Sequence, residues 1–361
     1  MMERFSCKTQ IITGAGSVSA LADMDVGKLL IVTDPFFYQN GTAQRIAKVA
    51  QPQAVDYFHE VAPDPSVDLA AKGTAAVQAF QPDAIVALGG GSAMDCAKAM
   101  AYFSGTQARL VAIPTTSGSG SEVTDFAILT HDGVKHPLVD PRLRPDVAIL
   151  DDDLVAQLPP SLIADGGFDV LTHALEAYVA TNAGAITDAL SVDAFRIAFR
   201  HLPDSYGGSR CARRSVHQAA TMAGLAFTQA GLGLCHAMAH SLGGTFHVPH
   251  GRLNAILLPA VIERNAAAAG SRYAAAARAI GLEGRAESVG VRNLRTALIR
   301  LRKQLGLPAT LSEAGVPASQ VLEKMDAVTA AALADPCCAT NPVPVTDGMV
   351  RQVLQEVMGH G

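Results

Sequence analysis

The stretch DAIVALGGGSAMDCAKAMAYF (residues 83–103) joins an apolar run, a glycine-rich turn and a helix-forming segment. Its first part, DAIVALGGG (83–91), is almost continuously apolar up to the glycines, which is typical of a parallel strand covered on both faces. Its second part, SAMDCAKAMAYF (92–103), has helical periodicity. A buried strand that leads directly into a helix indicates an α/β domain with a parallel sheet.

The same alternation continues on both sides of this stretch. Apolar runs that end in polar residues predict three more buried strands: KLLIVTD (28–34), RLVAIPTT (109–116) and DVAILD (146–151). DLAAKGTAAVQAF (68–80) predicts a further helix. TGAGSVSAL (13–21) resembles a dinucleotide-binding fingerprint, but Ser19 replaces the third glycine and the segment precedes the first strong strand. We therefore interpret it as a structural turn.

The second half of the chain has a different character. After about residue 160 the sequence is almost wholly helix-forming, including the alanine-rich stretch 265–280 and RNLRTALIRLRKQLG (292–306). A chain of 361 residues is longer than one core usually grows. We predict an α/β nucleotide-binding domain over 1–160 and an all-helical domain over 161–361, with LPPS (158–161) near the boundary.

Composition narrows the classes of function. A net charge of −5 and a pI near 6.1 provide no electrostatic basis for binding nucleic acid or an anionic membrane. No charged-then-apolar leader and no apolar run of spanning length are visible, so we expect a cytoplasmic protein. The six cysteines lack framework spacing, which favours reduced thiols. A charged fraction of only 17% favours a subunit interface, and hence a homo-oligomer.

Two polar turns could bind a nucleotide. The glycines of LGGGS (88–92) allow close backbone approach, and the helix that follows, with Ser92 at its cap, favours an anion such as a pyrophosphate. The alternative is an ordinary tight turn. IPTTSGSGSEVTDFA (113–127) could hydrogen-bond a ribose or a phosphate. Asp34 ends a strand and could accept from both ribose hydroxyls, or it could simply form a turn before Pro35.

Histidines concentrate in CHAMAHSLGGTFHVPHG (235–251). His236 and His240 are four residues apart on a predicted helix, as are Asp169 and His173 in GGFDVLTHALEAY (166–178). Nitrogen ligands with one carboxylate suit a catalytic Fe- or Zn-type ion better than Mg or Ca. We expect LGG (242–244) to break the helix, so that a histidine of the loop FHVPHG (246–251) can fold back. Histidines without a metal are the alternative.

Taken in order, these segments resemble the iron-containing (group III) alcohol dehydrogenase family. The motifs that carry the likeness are GGGSAMDCAKA, IPTTSGSGSEVT, GGFDVLTHALEAYV and AGLGLCHAMAHSLGGTFHVPHGRLNAILLP. Within the family, the chain most resembles the branch of 1-propanol dehydrogenases associated with propanediol and ethanolamine utilisation. The resemblance implies a dehydroquinate synthase-like fold, in which an α/β NAD-binding domain with a parallel sheet precedes an all-α metal-binding domain.

The resemblance also implies roles for individual residues. Asp169, His173, His236 and His250 correspond to the metal ligands, and His240 to a histidine near the nicotinamide that would relay protons. Asp34 corresponds to the carboxylate that favours NAD over NADP. The remaining nucleotide-binding positions are Gly90, Gly91, Ser92, Asp95, Thr115, Thr116 and Ser119. Phe168, Ser117 and Ser119 depart from the usual motif, but no ligand is lost.

The implied activity is NAD(H)-linked, metal-dependent reduction of short-chain aldehydes such as propanal and acetaldehyde, and its reverse. Fe²⁺ is the family's metal, although nitrogen ligands bind Zn²⁺ more tightly. The implied partners are a second copy of the chain and, in this branch, an aldehyde-producing enzyme or a bacterial microcompartment shell. Alternatives are a glycerol or other polyol dehydrogenase, a dehydroquinate-synthase-like lyase, and a non-catalytic microcompartment protein.

Overall fold

A computed structural model describes residues 5–131 and 134–359. Within these ranges the chain divides into two compact units, one over Ser6–Leu158 and one that begins at Pro159. Among the described residues, no helix combines the length and apolar character needed to cross a bilayer.

The first unit contains every strand found in the described residues. In chain order these are β1 Gln10–Gly14, β2 Lys28–Thr33, β3 Ala54–Phe58, β4 Ala84–Gly89, β5 Arg109–Pro114, β6 Phe126–His131, β7 Val134–Val139 and β8 Val147–Asp151. Six of them form a parallel sheet in the order β1-β8-β5-β4-β2-β3. β6 and β7 form a separate antiparallel pair. The predicted parallel sheet is therefore confirmed.

Two hydrophobic clusters cover the two faces of the sheet. Side chains that alternate along β2 and β4 separate into them, with Ile31 and Val86 in one and Leu30 and Ile85 in the other. The helices of this unit are α1 Pro35–Gln39, α2 Thr42–Ala50, α3 Val67–Phe80, α4 Gly91–Ser104 and α5 Asp152–Val155. Residues of α2 pack in the first cluster and residues of α3 and α4 in the second. Burial on both faces explains why the central strands are apolar throughout.

The second unit is helical, and its described residues contain no strand. Its helices are α6 Pro160–Val179, α7 Ala185–Tyr206, α8 Arg210–Ala230, α9 Leu234–Phe246, α10 His250–Ala279, α11 Glu287–Gln304, α12 Ala318–Ala334 and α13 Asp347–Val357. Proline at its first position suits the start of α6, because proline lacks the N–H that would have no partner there. The prediction that the second domain is helical is therefore confirmed.

The predicted break at LGG (242–244) is wrong. α9 continues through Gly243 and Gly244 to Phe246, and His247 follows it with a φ of 56°, the left-handed conformation that often terminates helices. Helix α10 begins at His250, so this histidine belongs to a first helical turn rather than to a loop. Glycine has a low helix propensity, but tertiary packing commonly outweighs that preference, and Gly243 is buried within α9.

The segment TGAGSVSAL (13–21) begins in the last two residues of β1, a strand that was not predicted, turns at residues 15–16 and continues in the 3₁₀ helix Ser17–Asp23. The amides of Gly16 and Val18 donate to the two carboxylate oxygens of Asp151, at 3.1 and 3.0 Å. These N–H groups are thereby occupied by the protein itself, which leaves them unavailable to a phosphate.

Candidate metal centre and nucleotide-binding turn

The glycine turn between β4 and α4 has the geometry of an anion site. Gly89 has a φ of 151°, and a Cβ there would lie 2.7 Å from the Cβ of Ala93, so only glycine fits. Helix α4 begins at Gly91, with Gly90 as its N-cap. The expected cap at Ser92 is wrong, because Ser92 lies one residue inside the helix. No side chain caps these amides, so they can bind a phosphate.

Hydroxyl side chains lie beside the same turn. A Cβ added to Gly90 would lie 3.2 Å from Thr116 Oγ1, and one added to Gly91 would lie 3.3 Å from Ser119 Oγ. Thr115, which is buried, connects the loop to the sheet through an N–H that donates to the Gly89 carbonyl at 2.9 Å. The structure thus brings the two predicted nucleotide segments together.

Asp34 caps a helix and also lies beside the glycine turn. Its Oδ1 accepts from the amide of Phe37 at 3.0 Å and so caps α1. Its Oδ2 lies 3.7 Å from the position that a Cβ on Gly89 would occupy. The carboxylate therefore caps a helix with one oxygen and lies beside the glycine turn with the other.

Asp95 is directed away from the turn and supports the hydroxyl-rich loop. Its carboxylate accepts from Ser121 Oγ at 2.8 Å and from the amide of Ile128 at 3.1 Å. Lys98, one turn further along α4, is fully buried and donates to Ser121, Thr124 and Phe126 at 2.9 to 3.1 Å. Burial lowers the pKa of the Lys98 ammonium to about 8. The sequence reading missed this lysine, whose one signal is a charge three residues after Asp95 on an apolar helix face.

In the helical unit, one carboxylate oxygen is surrounded by three imidazole nitrogens. Oδ1 of Asp169 lies 3.8 Å from Nε2 of His173, 3.7 Å from Nε2 of His236 and 3.5 Å from Nε2 of His250. Metal–ligand bonds near 2.1 Å place the corners of a tetrahedron about 3.4 Å apart. Ligand atoms of Asp169, His173 and His236 lie within 4.8 Å of one another, and His250 approaches the same Asp169 oxygen, so the donor types and their distances from Asp169 suit a divalent transition metal.

Three helices supply these ligands. Asp169 and His173 lie one turn apart on α6, His236 lies in the first turn of α9 and His250 is the first residue of α10. Asp169, His173 and His236 are buried, whereas the His250 side chain is 29% exposed. The centre is therefore closed on one side and accessible at His250, which suits a catalytic ion that must admit a substrate.

Glu176 holds His236 from behind. Its Oε2 lies 2.6 Å from His236 Nδ1, and its two oxygens also accept from the amides of Gly233, Cys235 and His236 at the start of α9. Because an ionised carboxylate can only accept, Nδ1 carries a proton and Nε2 faces Asp169. A carboxylate behind a ligating imidazole orients it and raises its basicity.

The pKa values of His236 and Asp169 show that the centre stabilises positive charge. Burial alone would lower the pKa of His236, but the neighbouring carboxylates of Asp169, 3.7 Å away, and Glu176, at hydrogen-bond distance, raise that pKa to about 9. Burial opposes ionisation of Asp169 too, yet the neighbouring histidines His173 and His250 hold its pKa well below the usual range. The site thus favours positive charge. A metal ion that binds Nε2 of His236 would displace the proton on that nitrogen and leave the Nδ1 proton on Glu176's side in place.

Asn254 lies among the same ligand atoms. Its Nδ2 donates to Asp169 Oδ1 at 2.8 Å and lies 3.4 and 3.3 Å from Nε2 of His236 and His250. Its Oδ1 lies 3.7 Å from Cys235 Sγ, and burial raises the pKa of that thiol well above its usual range. Cys235 is therefore a buried neutral thiol.

His240 is oriented by a partner that the sequence did not reveal. Its Nδ1 lies 2.8 Å from Asp335 Oδ2, and its ring stacks on His250 with centroids 5.2 Å apart. Burial opposes ionisation of Asp335, but the hydrogen bond from His240 lowers the carboxyl pKa to about 2. Asp335, His240 and Cys337 also bring ligand atoms within 4.8 Å of one another. Burial keeps the Cys337 thiol protonated, which disfavours a second metal there.

Family models match almost the whole chain. Residues 8–152 match the model described as iron-containing alcohol dehydrogenase, and residues 163–358 match the C-terminal model of the Fe-containing alcohol dehydrogenase family. The chain belongs to the iron-containing alcohol dehydrogenase family. It is accordingly an oxidoreductase, and membership implies use of a nicotinamide cofactor and an iron-type metal. The glycine turn lies in the first matched segment and all four candidate ligands lie in the second.

Individual relatives extend this likeness over full length. The chain is 40% identical to the 1-propanol dehydrogenase PduQ of Salmonella typhimurium over 99% of this chain and 100% of that protein. A solved iron-containing alcohol dehydrogenase from Thermococcus thioreducens superposes with a TM-score of 0.92 at 34% identity, over 98% of this chain and 99% of that one. The sulfoacetaldehyde reductase of Bifidobacterium kashiwanohense, solved with NAD⁺, superposes with a TM-score of 0.88 at 27% identity, over 99% of each chain.

Proposed function

We propose that this iron-containing alcohol dehydrogenase reduces short-chain aldehydes, such as propanal and acetaldehyde, to primary alcohols with NADH, and catalyses the reverse reaction. The observation that carries the proposal is the group of three imidazole nitrogens within 3.5 to 3.8 Å of one Asp169 oxygen. Full-length similarity to a protein named 1-propanol dehydrogenase supports the substrate class.

The metal would be held by Asp169, His173, His236 and His250. Family membership favours Fe²⁺ as the bound ion, whereas the intrinsic affinity of nitrogen ligands favours Zn²⁺. A bound divalent ion supplies Lewis acidity toward the substrate oxygen, and a bound nicotinamide supplies hydride chemistry. Glu176 keeps the Nε2 lone pair of His236 directed at the site, through its 2.6 Å contact with Nδ1. Asn254 donates to Asp169 at 2.8 Å and limits rotation of that carboxylate.

His240 is the proposed proton relay between the substrate oxygen and solvent. It lies one helical turn after His236 and its side chain is 17% exposed, so it can contact both the centre and water. Asp335 holds Nδ1, which leaves Nε2 as the nitrogen that exchanges a proton.

The direct test is steady-state kinetics on a C2–C4 aldehyde series and on glycerol, after anaerobic loading with Fe²⁺ or Zn²⁺. We expect kcat/KM for propanal with NADH to exceed that for glycerol with NAD⁺ by on the order of 100-fold, because a site suited to an alkyl chain leaves the extra hydroxyls of glycerol unpaired. Preference for glycerol would indicate the polyol branch. Metal-loaded protein that oxidises no NADH would indicate the non-catalytic alternative.

Asp34 provides a second prediction, on cofactor choice. We expect Asp34→Gly to raise kcat/KM with NADPH relative to NADH by roughly 10-fold or more, because a 2′-phosphate beside the Asp34 carboxylate would suffer charge repulsion. The same substitution removes the cap of α1, so Asp140→Gly, which removes a comparable cap from the short 3₁₀ helix Pro141–Leu143, is the control. An unchanged NADH/NADPH ratio would refute the ribose assignment.

The proposal extends to assembly and location. The low charged fraction of 17% supports a homo-oligomer, which light scattering of the purified chain measures. A place in the cytoplasm beside an aldehyde-producing enzyme, or inside a microcompartment shell, follows from the likeness to the propanediol branch. Co-sedimentation with assembled shells tests the latter.

A further inference from the structure

The helical unit contains a cavity of about 800 Å³ that none of the proposed chemistry uses. It lies where the first turn of α6, the first turn of α10 and the end of α11 meet the loop 305–314. The polar side chains among its lining residues are Ser161, Tyr206, Arg252, Arg302, Lys303 and Glu313. A neutral aldehyde needs no such set of cations, so the cavity calls for a separate explanation.

Arg302 is the unusual member of this set. The residue is only 9% exposed, and its one hydrogen bond within the described chain is a 3.3 Å contact from Nη1 to the carbonyl of Ala255. No carboxylate among the described residues lies within ion-pair distance of its guanidinium. A guanidinium has five N–H donors, and Arg302 lines the cavity, so donors without an acceptor among the described residues are available there.

A buried cation without a counterion is costly. Taking a guanidinium out of water loses hydration that one carbonyl cannot replace, and burial accordingly lowers the pKa of Arg302. Buried arginines in proteins are normally paired with a carboxylate or phosphate. The structure therefore leaves a place for an anion that the chain itself does not supply.

The neighbouring charges leave that place positive. Arg252 is already paired with Asp165, through contacts of 3.2 and 3.0 Å. Lys303 is exposed and adds a second cation that has no carboxylate partner among the described residues. Glu313 also lines the cavity and, against the larger effect of burial, raises the pKa of Arg302, but it is exposed, forms no ion pair with Arg302, and its Oε2 accepts from the amide of Ala309 at 2.7 Å.

We propose that this cavity binds a small organic anion, whose oxyanion group pairs with Arg302 and whose carbon chain contacts the apolar lining. That lining comes from Ile299, Leu305 and Leu307. A carboxylate and a phosphate monoester share the required chemistry, because each offers two oxygens to the planar fork of a guanidinium. The site is independent of the metal centre in its ligands and goes beyond the proposed alcohol dehydrogenase activity.

The test is isothermal titration calorimetry of the full chain with n-butyl phosphate, butyrate and inorganic phosphate as separate probes. Saturating NAD⁺ is included so that the glycine turn of the first unit does not bind the probe. We expect saturable binding of one probe per chain, and Arg302→Gln should weaken it at least 10-fold. Arg300→Gln is the matched control, because Arg300 lies on the same helix but is exposed.

A second variant guards against misfolding of the first. Ala314→Leu adds bulk to the cavity wall and leaves every charge in place, so it too should weaken binding at least 10-fold. Tighter binding of butyl phosphate than of butyrate would identify a phosphate monoester, and the reverse order a carboxylate. The proposal is overturned if no probe binds saturably, or if folded Arg302→Gln and Ala314→Leu both bind as tightly as the parent chain.

Discussion

Replacement of His236 by alanine is expected to abolish metal retention and, with it, aldehyde reduction. His236 contributes one of three nitrogens around Asp169, at 3.7 Å from its Oδ1. If four ligands share the roughly 10–16 kcal/mol of a typical Zn²⁺ site, loss of one weakens binding by on the order of 100-fold or more. The deletion also leaves two buried carboxylates, Asp169 and Glu176, without the imidazole that separates them.

Elemental analysis after anaerobic loading and desalting measures the effect directly. His240→Ala is the matched control, since His240 lies one turn further along α9 and contacts Asp335 rather than Asp169. This control should retain metal at parental stoichiometry while turnover falls or its pH profile shifts, as expected for loss of a proton relay. Full occupancy in His236→Ala would remove that residue from the ligand set. Unchanged turnover across pH in His240→Ala would refute the relay.

The sequence predicted the centre of the sheet but not its edges. β2, β4, β5 and β8 occupy the four inner positions, and burial on both faces forces them to be apolar throughout. The outer strands β1 and β3 have partly exposed residues and no such signature. Single-sequence periodicity reports burial, so strands that are only half covered leave a weaker pattern.

The candidate site shows a similar division. Asp169 and His173 could be paired from sequence because they are one helical turn apart. Glu176 lies on the same helix, but the sequence around Glu176 does not indicate that its side chain contacts α9. Asp335 reaches His240 across 95 positions of sequence. Such contacts are created by packing between helices, which composition and spacing do not encode.

The error at LGG (242–244) has the same physical origin. Glycine inside a helix reads locally as a break, because it costs about 1 kcal/mol relative to alanine. Gly243 is buried and continues α9, and a left-handed His247 followed by Val248 and Pro249 ends the helix instead. Burial of α9 against its neighbours, over most residues from Leu234 to Gly243, outweighs the low helix propensity of glycine, and this burial appears only in three dimensions.

Replacement of Gly251 should lower stability and metal affinity more than replacement of Gly243. A Cβ there would lie 2.0 Å from the backbone carbonyl oxygen of Asp165 on α6, a contact that side-chain rotation cannot relieve. Gly251→Ala must therefore push the first turn of α10, which includes His250, away from the helix that carries Asp169. We expect the free energy of unfolding to fall by about 1–3 kcal/mol or more. Metal affinity should fall with it, because the His250 to Asp169 spacing of 3.5 Å would widen.

Gly243→Ala is the matched control, and its expected sign is opposite. A Cβ at this helical position would lie 3.5 Å from Leu253 Cδ1, an ordinary van der Waals contact, and the backbone is not left-handed. Alanine should therefore add about 0.5–1 kcal/mol of stability through its helix propensity and leave the metal centre intact. Thermal unfolding of both variants after chelation separates backbone crowding from metal linkage, since bound metal itself stabilises the folded state. If the two variants unfold at the same temperature, the close approach of α10 to α6 does not set the geometry of the centre, and the ligand spacing must be maintained by the side-chain contacts of Glu176 and Asn254.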